Sequence, residues 1–568
     1  MMKHTQVSVL IVGAGPVGLA TAAMLSRHGI KARLIEKAEG PTSFSKAVGI
    51  HARTLESMHA LGITEQLISD GRPMQSFRIN EGGNPIMSAG FSGIGSPYEF
   101  VLGLPQSSTE RHLLARLQSL GGDVEWQTRL FSVNQTGQPG AGNDLAEVIV
   151  ERADGGREVI RCHWLIGADG SRSSVREMTG IEFPGGDYGN AFMLGDARIE
   201  WAGSKDQLQF FLSGNGYLLL VPMPGGLHRI IAQTDQTFEE FQKSEKPLAT
   251  LEGLQAIIDC NGPGGIRVHS PQWLTCAPFY HRCASTALKG RVVLAGDAFH
   301  LFSPLGAQGL NTGFQDVFNL AWKIAFVERG WAEPSLLQTY DDERQTIARL
   351  IGKVTSQTTR YITATHPLRR LIRRNLTRWM NATAKVQQQL PRLLAGLLQS
   401  YGPSAELSGP SAPAMPAAGA RIPHAWVPDG LCYRPLASLV HGVGFTLLLL
   451  RPTLDEASVT ALERFYSDET TAELPFLQCL VIAREIEAWR ERLPKAARLI
   501  EDRLGDVLRQ LGAGIGGLVL IRPDGYCALS TNGWAFDVVE QYFRDRKLGS
   551  TCELAMSNAL LEGAPHVN

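Results

Sequence analysis

Residues 7–37 (VSVLIVGAGPVGLATAAMLSRHGIKARLIEK) run from a short apolar stretch through a glycine turn and a helix-length apolar segment to a second apolar stretch. That order predicts strand, turn, helix, strand. Residues 109–120 have helical spacing, and 145–151 and 157–166 read as paired strands. The pattern changes over 183–274, where short alternating stretches at 207–211, 217–221 and 228–233 are separated by Gly/Pro turns. This predicts a mostly antiparallel sheet. Residues 291–296 (RVVLAG) return to a buried strand, and long helices are expected at 311–329, 335–365 and 367–398. Residues 402–420 lack any period and are rich in Pro, Ala, Gly and Ser, so they read as a linker. Beyond them, 430–568 alternates again, with strands at 444–450, near 476–482 and within 517–530, and a helix near 454–465. It reads as a separate α/β domain. No internal repeat is visible.

Composition narrows the function classes. The 568 residues correspond to three or four domains. With 54 Lys+Arg against 55 Asp+Glu, the net charge of −1 offers no footprint for nucleic acid or an anionic membrane. An apolar share of 44% with 19% charged residues excludes wholesale disorder. The 60 glycines exceed the usual share of about 7% and imply tight turns and close backbone approaches. Eight cysteines without a C-x-x-C pair argue against zinc ribbons, thioredoxin-type redox motifs and a disulfide scaffold. The first apolar run is too short for a signal-peptide core, and no stretch qualifies as a membrane span, so cytoplasm is the default location. Fourteen histidines show no metal-ligand spacing, and no metal is assigned.

Gly13-x-Gly15-x-x-Gly18, with Pro16 and Val17 inside it, follows a strand of β-formers and opens a helix. Gly13 makes the tight turn, Gly15 lets backbone approach a pyrophosphate, and Gly18 lets the helix pack on the sheet. The helix N-terminus supplies free N–H groups and positive dipole. Glu36, 18 residues beyond Gly18, ends the second strand, where it can accept from ribose hydroxyls. A second match to the pattern, Gly512 to Gly517, follows a helix and opens a strand, the reverse order, and is read as a loop. The chain therefore carries one dinucleotide fingerprint.

Two further segments place an Asp at the end of a buried strand, where ligands sit in open α/β sheets. They are WLIGADGSRSSVREMTG at 164–180, with Asp169-Gly170, and GRVVLAGDAFHLFSPLGAQGLNTGFQD at 290–316, with Gly296-Asp297. The three motifs, in this order and at about this spacing, resemble the FAD-dependent aromatic hydroxylases of the para-hydroxybenzoate hydroxylase type over roughly residues 1–400. RIPHAWV at 421–427 and LVLIRPDGYCA at 518–528 resemble the phenol and polyketide hydroxylase branch, which has a C-terminal thioredoxin-like domain.

The resemblance implies an α/β (α+β) chain with a Rossmann-like FAD-binding domain over 1–182 plus 275–400. A β-sheet substrate domain would span 183–274, with 76–99 as a candidate addition. A linker at 401–420 and a thioredoxin-like domain at 421–568 would follow. Carried over by residue, Glu36 and Lys37 hold the adenosine ribose, Gln106 contacts the flavin side, and Asp297 binds the ribityl chain. Pro304 sits by the isoalloxazine, and Gly309, Leu310 and Asn311 face its pyrimidine edge. Asp169 and Arg176 are associated with both FAD and NAD(P)H. Lys46 stands where the family usually has Arg, near the flavin. Leu-Gly-Ala-Gln after Pro304 replaces a commoner Thr/Val-Gly-Gly-Gln, and its extra side chains are expected to tighten the space there.

The implied activity is hydroxylation of a phenolic or polycyclic aromatic substrate with non-covalent FAD, NAD(P)H and O₂, through a flavin C4a-hydroperoxide. Epoxidation, Baeyer–Villiger oxidation, oxidative decarboxylation and dehalogenation use the same fold, and a non-catalytic flavin sensor is the reading from another class. Homodimerisation is compatible with the family. Phe211, Tyr217 and Leu219 share one face by period-two counting, either as pocket walls or as sheet core. His300, just after Gly-Asp, is either a flavin neighbour or a packing residue. The arginines at 369, 370, 373, 374 and 378 form either a solvated face or a binding patch.

Overall fold

The computed structural model describes residues 3–549 except 43–46, 137–144, 238, 241–248, 365, 403–405, 441 and 468–473. Lys3–Val12, Pro16–Arg27 and Ala32–Ile35 form the expected strand, helix and strand. Lys3–Val12 pairs in parallel with Ala32–Ile35 on one side and Arg157–Gly167 on the other. Val124–Glu125 and Val292–Leu294 extend the parallel sheet outward. Val9, Leu10 and Ile11 are fully buried, as strands covered on both faces must be. Leu145–Glu151 pairs antiparallel with Arg157–Gly167, and Arg129–Thr136 pairs antiparallel with Leu145–Glu151.

A second sheet of eight strands runs in the order 300–301, 267–283, 185–200, 227–237, 217–222, 208–212, 76–81, 84–90. All its pairings are antiparallel except one, between Leu208–Leu212 and Ser76–Glu81. The stretch beginning at residue 76 thus contributes two strands, recruited across more than a hundred residues. At its other end, His300–Leu301 follows the Gly-Asp motif directly, so this sheet is joined to the loop that ends the parallel sheet. The helix Leu251–Asn261 covers an apolar core on one face. Gly49–Ile50, Val101–Gly103 and Arg72–Met74 form a small third sheet.

The helix Gln308–Glu328 is buried almost throughout. Gln338–Ile362 packs beside it. The long helix expected over 367–398 is two helices, Pro367–Ala382 and Ala384–Leu394, joined at Thr383.

The C-terminal region holds a five-stranded sheet in the order 497–501, 477–483, 445–451, 517–521, 527–532. Its first three strands are parallel and its last two antiparallel. Trp322 and Phe326 of the buried helix enter its core beside Phe445, Phe476 and Phe543. The proline-rich stretch expected as a linker is packed instead. The N–H groups of Gly409, Ala412 and Gly419 donate to the carbonyls of Ala528, Ser530 and Cys527, and Ala418 and Leu407 are buried. Proline removes donors at single positions, and the remaining N–H groups still pair with a neighbouring strand. Among the described residues no helix is long and apolar enough to cross a membrane.

Candidate functional site

The strands Lys3–Val12, Ala32–Ile35 and Arg157–Gly167 all end at one edge, and a cavity of about 630 Å³ opens there. Of the residues singled out in the sequence, Gly13, Gly15, Pro16, Val17, Glu36, Lys37, Gln106, Asp169, Asp297, Pro304, Gly309 and Leu310 line it. The first glycine turn is shaped by contact. Gly13 has φ +102, and a Cβ there would lie 2.5 Å from the Ala168 carbonyl oxygen; one at Gly18 would lie 1.8 Å from that of Gly13. A Cβ at Gly15 would meet nothing within 4 Å, since it would project into the cavity. Bare backbone at a helix N-terminus, facing open space, fits a pyrophosphate. Glu36 braces this turn: its Oε2 accepts from the Ala14 N–H at 2.8 Å and its Oε1 from the Ala38 N–H at 3.0 Å.

Asp169 caps the next helix. Its carboxylate accepts from the Ser173 hydroxyl at 2.5 Å and the Ser174 N–H at 2.7 Å. Burial raises its pKa, against the pull of those hydrogen bonds. Arg176 does not line the cavity. Its guanidinium donates to the carbonyls of Ala298 at 2.9 Å and Ser171 at 3.0 Å, and it lies over the Phe183 ring. It ties the Asp-Gly segment to the Gly-Asp loop.

That loop rests on a buried carboxylate absent from the sequence reading. Asp316 Oδ2 accepts from the Gly296 N–H at 3.0 Å and from His300 Nε2 at 2.8 Å, and its Oδ1 accepts from Arg344 Nε at 2.7 Å. Burial alone would raise the Asp316 pKa, but His300 and Arg344 hold it below the usual carboxylate range. His300 is fully buried and stacks on Phe302, so it supports the loop from beneath. Asp297 is thereby left exposed at the cavity, and Gly296 stays below it at φ +61, against Val17.

The loop after Pro304 ends at Ala307, which has the left-handed φ of 53 and begins the helix Gln308–Glu328 without a side-chain cap. Its methyl group faces Gly49, where any Cβ would lie 2.8 Å away. The tightening expected from Ala307 is accommodated by that glycine. Asn311 lies behind the cavity wall: its Nδ2 donates to the Gly49 and Ala307 carbonyls, and its Oδ1 accepts from the His51 N–H and the Thr54 hydroxyl. His51 Nε2–H donates to the Gly306 carbonyl at 2.8 Å, and burial lowers its pKa to about 4. Gln106 Oε1 accepts from the Ala47 N–H at 3.1 Å. Lys46 lies outside the described residues.

The proposed face of Phe211, Tyr217 and Leu219 is corrected by the hairpin register. Leu212 pairs with Tyr217, so Phe210 is opposite Leu219 and Phe211 opposite Leu218. Phe211 therefore belongs to the core beneath Leu251–Asn261, while Tyr217 and Leu219 join the main core. None of the three lines the cavity. Its wall on the second sheet is Arg229, Ile231 and Leu301, with Phe302 from the loop that follows. Arg229 is held in place by Asp196, with Nε–Oδ1 at 2.5 Å and Nη2–Oδ2 at 3.0 Å; Trp273 Nε1 donates to the same carboxylate at 2.7 Å. Alternation along 228–233 was legible, but which parity faced the cavity was not.

The family described as FAD binding domain matches residues 6–355. The chain is 36% identical over 339 residues to 6-methylpretetramide 4-monooxygenase of Streptomyces rimosus. That match covers 59% of this chain and 58% of the relative, less than two thirds of its length. The chain is 28% identical over 539 residues to 12-dehydrotetracycline 5-monooxygenase/anhydrotetracycline 6-monooxygenase of the same species, covering 91% of this chain and 94% of the relative. Its fold superposes on aklavinone-11 hydroxylase, solved with FAD and aklavinone, with a TM-score of 0.73 at 26% identity, covering 96% of this chain and all of that one.

Proposed function

The chain belongs to the FAD binding domain family, and from that premise we propose that it is an NAD(P)H-dependent monooxygenase that hydroxylates a phenolic or polycyclic aromatic compound. The observation that carries this reading is the continuity of one cavity. It runs from the Gly13–Gly15 turn past Asp297 to Arg229 and Ile231 of the second sheet. A dinucleotide held along the first part would end beside a wall of a different sheet, leaving that wall for a substrate.

When bound, FAD supplies the redox chemistry, taking hydride from NAD(P)H and delivering one atom of O₂ to the substrate. The chain's own residues bind and orient. In this reading the N–H groups at Gly15 and the helix behind it hold the pyrophosphate, and Glu36 and Lys37 hold the adenosine ribose. Asp297 accepts from the ribityl hydroxyls, and Pro304, Gly309 and Leu310 form the bed for the ring system. The N-terminus of Gln308–Glu328 favours negative charge on a group placed before it, by about 0.3–2 kcal/mol. Apolar Ile231 and Phe302 keep water from the reacting ring, which the chemistry requires.

The strand order supports a thioredoxin-like C-terminal domain. A parallel strand–helix–strand over 445–483 and a third parallel strand at 497–501 are followed by two antiparallel strands and a closing helix at Phe536–Asp545. Without a C-x-x-C pair such a domain is structural. The relatives' names support a polycyclic aromatic as the substrate class.

The test is NADPH and NADH consumption by the purified, FAD-loaded protein with a panel of phenols and polycyclic aromatics, and mass spectrometry under labelled O₂. Substrate-stimulated consumption with one labelled oxygen in the product supports the reading. Absence of stimulation by every compound, or product without the label, overturns it.

A further inference from the structure

We propose that a second cavity, of about 280 Å³, is a binding site for a phosphate dianion. Arg72, Arg198, Lys205, His228 and His269 line it, and none of them lines the larger cavity. They converge from separate stretches of chain. Arg72 opens a strand of the small third sheet; Arg198 stands opposite His269 across two strands of the large one; His228 follows the Pro224–Gly226 turn. No carboxylate is in the lining. Two carboxylates contact lining residues: Asp206, paired with Arg72, and Glu200, whose Oε1 is 3.9 Å from His269 Nε2; each side chain is 72% exposed.

Arg229, in the wall of the larger cavity, is committed to a carboxylate, that of Asp196. Arg198 and Lys205 have no hydrogen-bond or ion-pair partner among the described residues, and both are exposed toward solvent. Gly226, at φ +76, leaves room for one of them: a Cβ there would lie 3.1 Å from Arg198 Nη1. His228 is only 5% exposed, and its Nδ1 has no hydrogen-bond partner. Burial first, then Arg72 and Lys205, lower its pKa to about 4, against a hydrogen bond with the Gly226 backbone, so the two cations act on the ring whose Nδ1 is unpaired. Two cations without a carboxylate partner, Arg198 and Lys205, with Arg72 shared with the exposed Asp206 and an unsatisfied imidazole nitrogen, match the charge and several oxygens of a phosphate, and guanidinium forks suit that shape.

The small third sheet links the two linings. Gly49, in the lining of the large cavity, pairs with Gly103, and Gly103 pairs on its other side with Arg72. Two strand spacings put Gly49 and Arg72 about 10 Å apart. Resting on the proposed use of NAD(P)H, the phosphate monoester that the reaction brings to this place is the 2′-phosphate of NADPH. Free inorganic phosphate is the other source of the same chemistry.

Isothermal titration of the FAD-loaded full-length protein decides it, with adenosine 2′,5′-bisphosphate, 5′-AMP and inorganic phosphate as probes at low and high salt. The bisphosphate is expected to bind at least about tenfold more tightly than 5′-AMP, by a margin that shrinks with salt. Arg198→Gln/Lys205→Gln, at two exposed positions, should abolish the margin and leave the melting temperature unchanged; Lys205→Gln alone should reduce it. Inorganic phosphate binding that the double variant loses, without any advantage for the bisphosphate, supports the site and assigns it to free phosphate. Equal affinity of the wild type and the double variant for all three probes overturns it. These titrations need no turnover, so they stand apart from any failure of the monooxygenase reading.

Discussion

Arg522 and Glu343, 179 positions apart, meet as a buried fork: Arg522 Nη1 donates to Glu343 Oε1 at 2.5 Å and Nη2 to Oε2 at 2.9 Å. Lys323 and Asn319 of the buried helix donate to Oε2 of the same carboxylate, and Arg522 is also paired with Asp524. Arg53 of the N-terminal region donates to the Asp524 carbonyl. The C-terminal sheet is thereby joined to the helices that carry the cavity loop.

Removing one partner of this fork leaves the other charged and buried. Arg522→Met is expected to cost about 3–5 kcal/mol, visible as a large drop in the urea midpoint. Glu343→Gln should cost a similar amount, and the two losses should be far from additive in the double variant. Additive losses would mean that the fork contributes nothing as a pair.

The same fork sets an acid limit. Burial pushes the Glu343 pKa up, but Arg522, Lys323 and their hydrogen bonds outweigh it and hold it at about 2, against 4.5 in the unfolded chain. A depressed carboxylate contributes stability that is complete above about pH 4.5 and lost as pH falls through about 2. Stability measured between pH 5 and 2 should fall more steeply in the wild type than in Glu343→Gln. Parallel curves would remove Glu343 as the cause.

Two glycines of one motif should separate folding from binding. Gly15→Ala meets no atom within 4 Å and has an ordinary φ of −72, so the protein without FAD should melt at or slightly above the wild-type temperature. Its FAD affinity should fall by at least about tenfold, since the methyl group occupies the place of the pyrophosphate. Gly18→Ala should instead destabilise the fold itself, by about 1–3 kcal/mol or more, because its Cβ meets the Gly13 carbonyl. Wild-type FAD affinity in Gly15→Ala would displace the cofactor from this turn.

Asp297→Ala should weaken FAD binding by roughly ten- to a hundredfold, the equivalent of a charge-assisted hydrogen bond of about 1.5–3 kcal/mol. The melting temperature of the FAD-free protein should fall far less than in Asp316→Ala, because Asp297 is exposed at the cavity while Asp316 is buried and supports the loop below. Equal dissociation constants would refute the assignment.

Burial pushes the thiols of Cys162, Cys479 and Cys527 up to about 12, so they remain protonated and unreactive near neutral pH. Among the described residues, native alkylation should reach Cys260 and Cys432, which are exposed, and leave turnover intact. Rapid labelling of Cys479 or Cys527, or loss of activity on their modification, would contradict a structural role for the C-terminal region.

The sequence by itself determined the three loop motifs and the elements that carry them. Gly13, Asp169 and Asp297 each sit where a strand ends, and the residue types of each turn stand together in the chain, where a linear pattern records them, although the contacts that hold the turns come from far along it. Tertiary structure decided what such a pattern does not reach. Phe211 lies on the opposite face from Leu219 because the hairpin pairs Leu212 with Tyr217, and a shift of one residue inverts every side chain. Residues 76–90 join the second sheet through a partner more than a hundred positions away. The Pro/Ala/Gly/Ser-rich stretch is packed because strand 527–532 offers its carbonyls, which composition does not reveal. Asp316 and Arg229 read as an ordinary helix residue and an ordinary strand residue. Only the fold brings Gly296, His300 and Arg344 around the one, and turns the other, held by Asp196, toward the cavity.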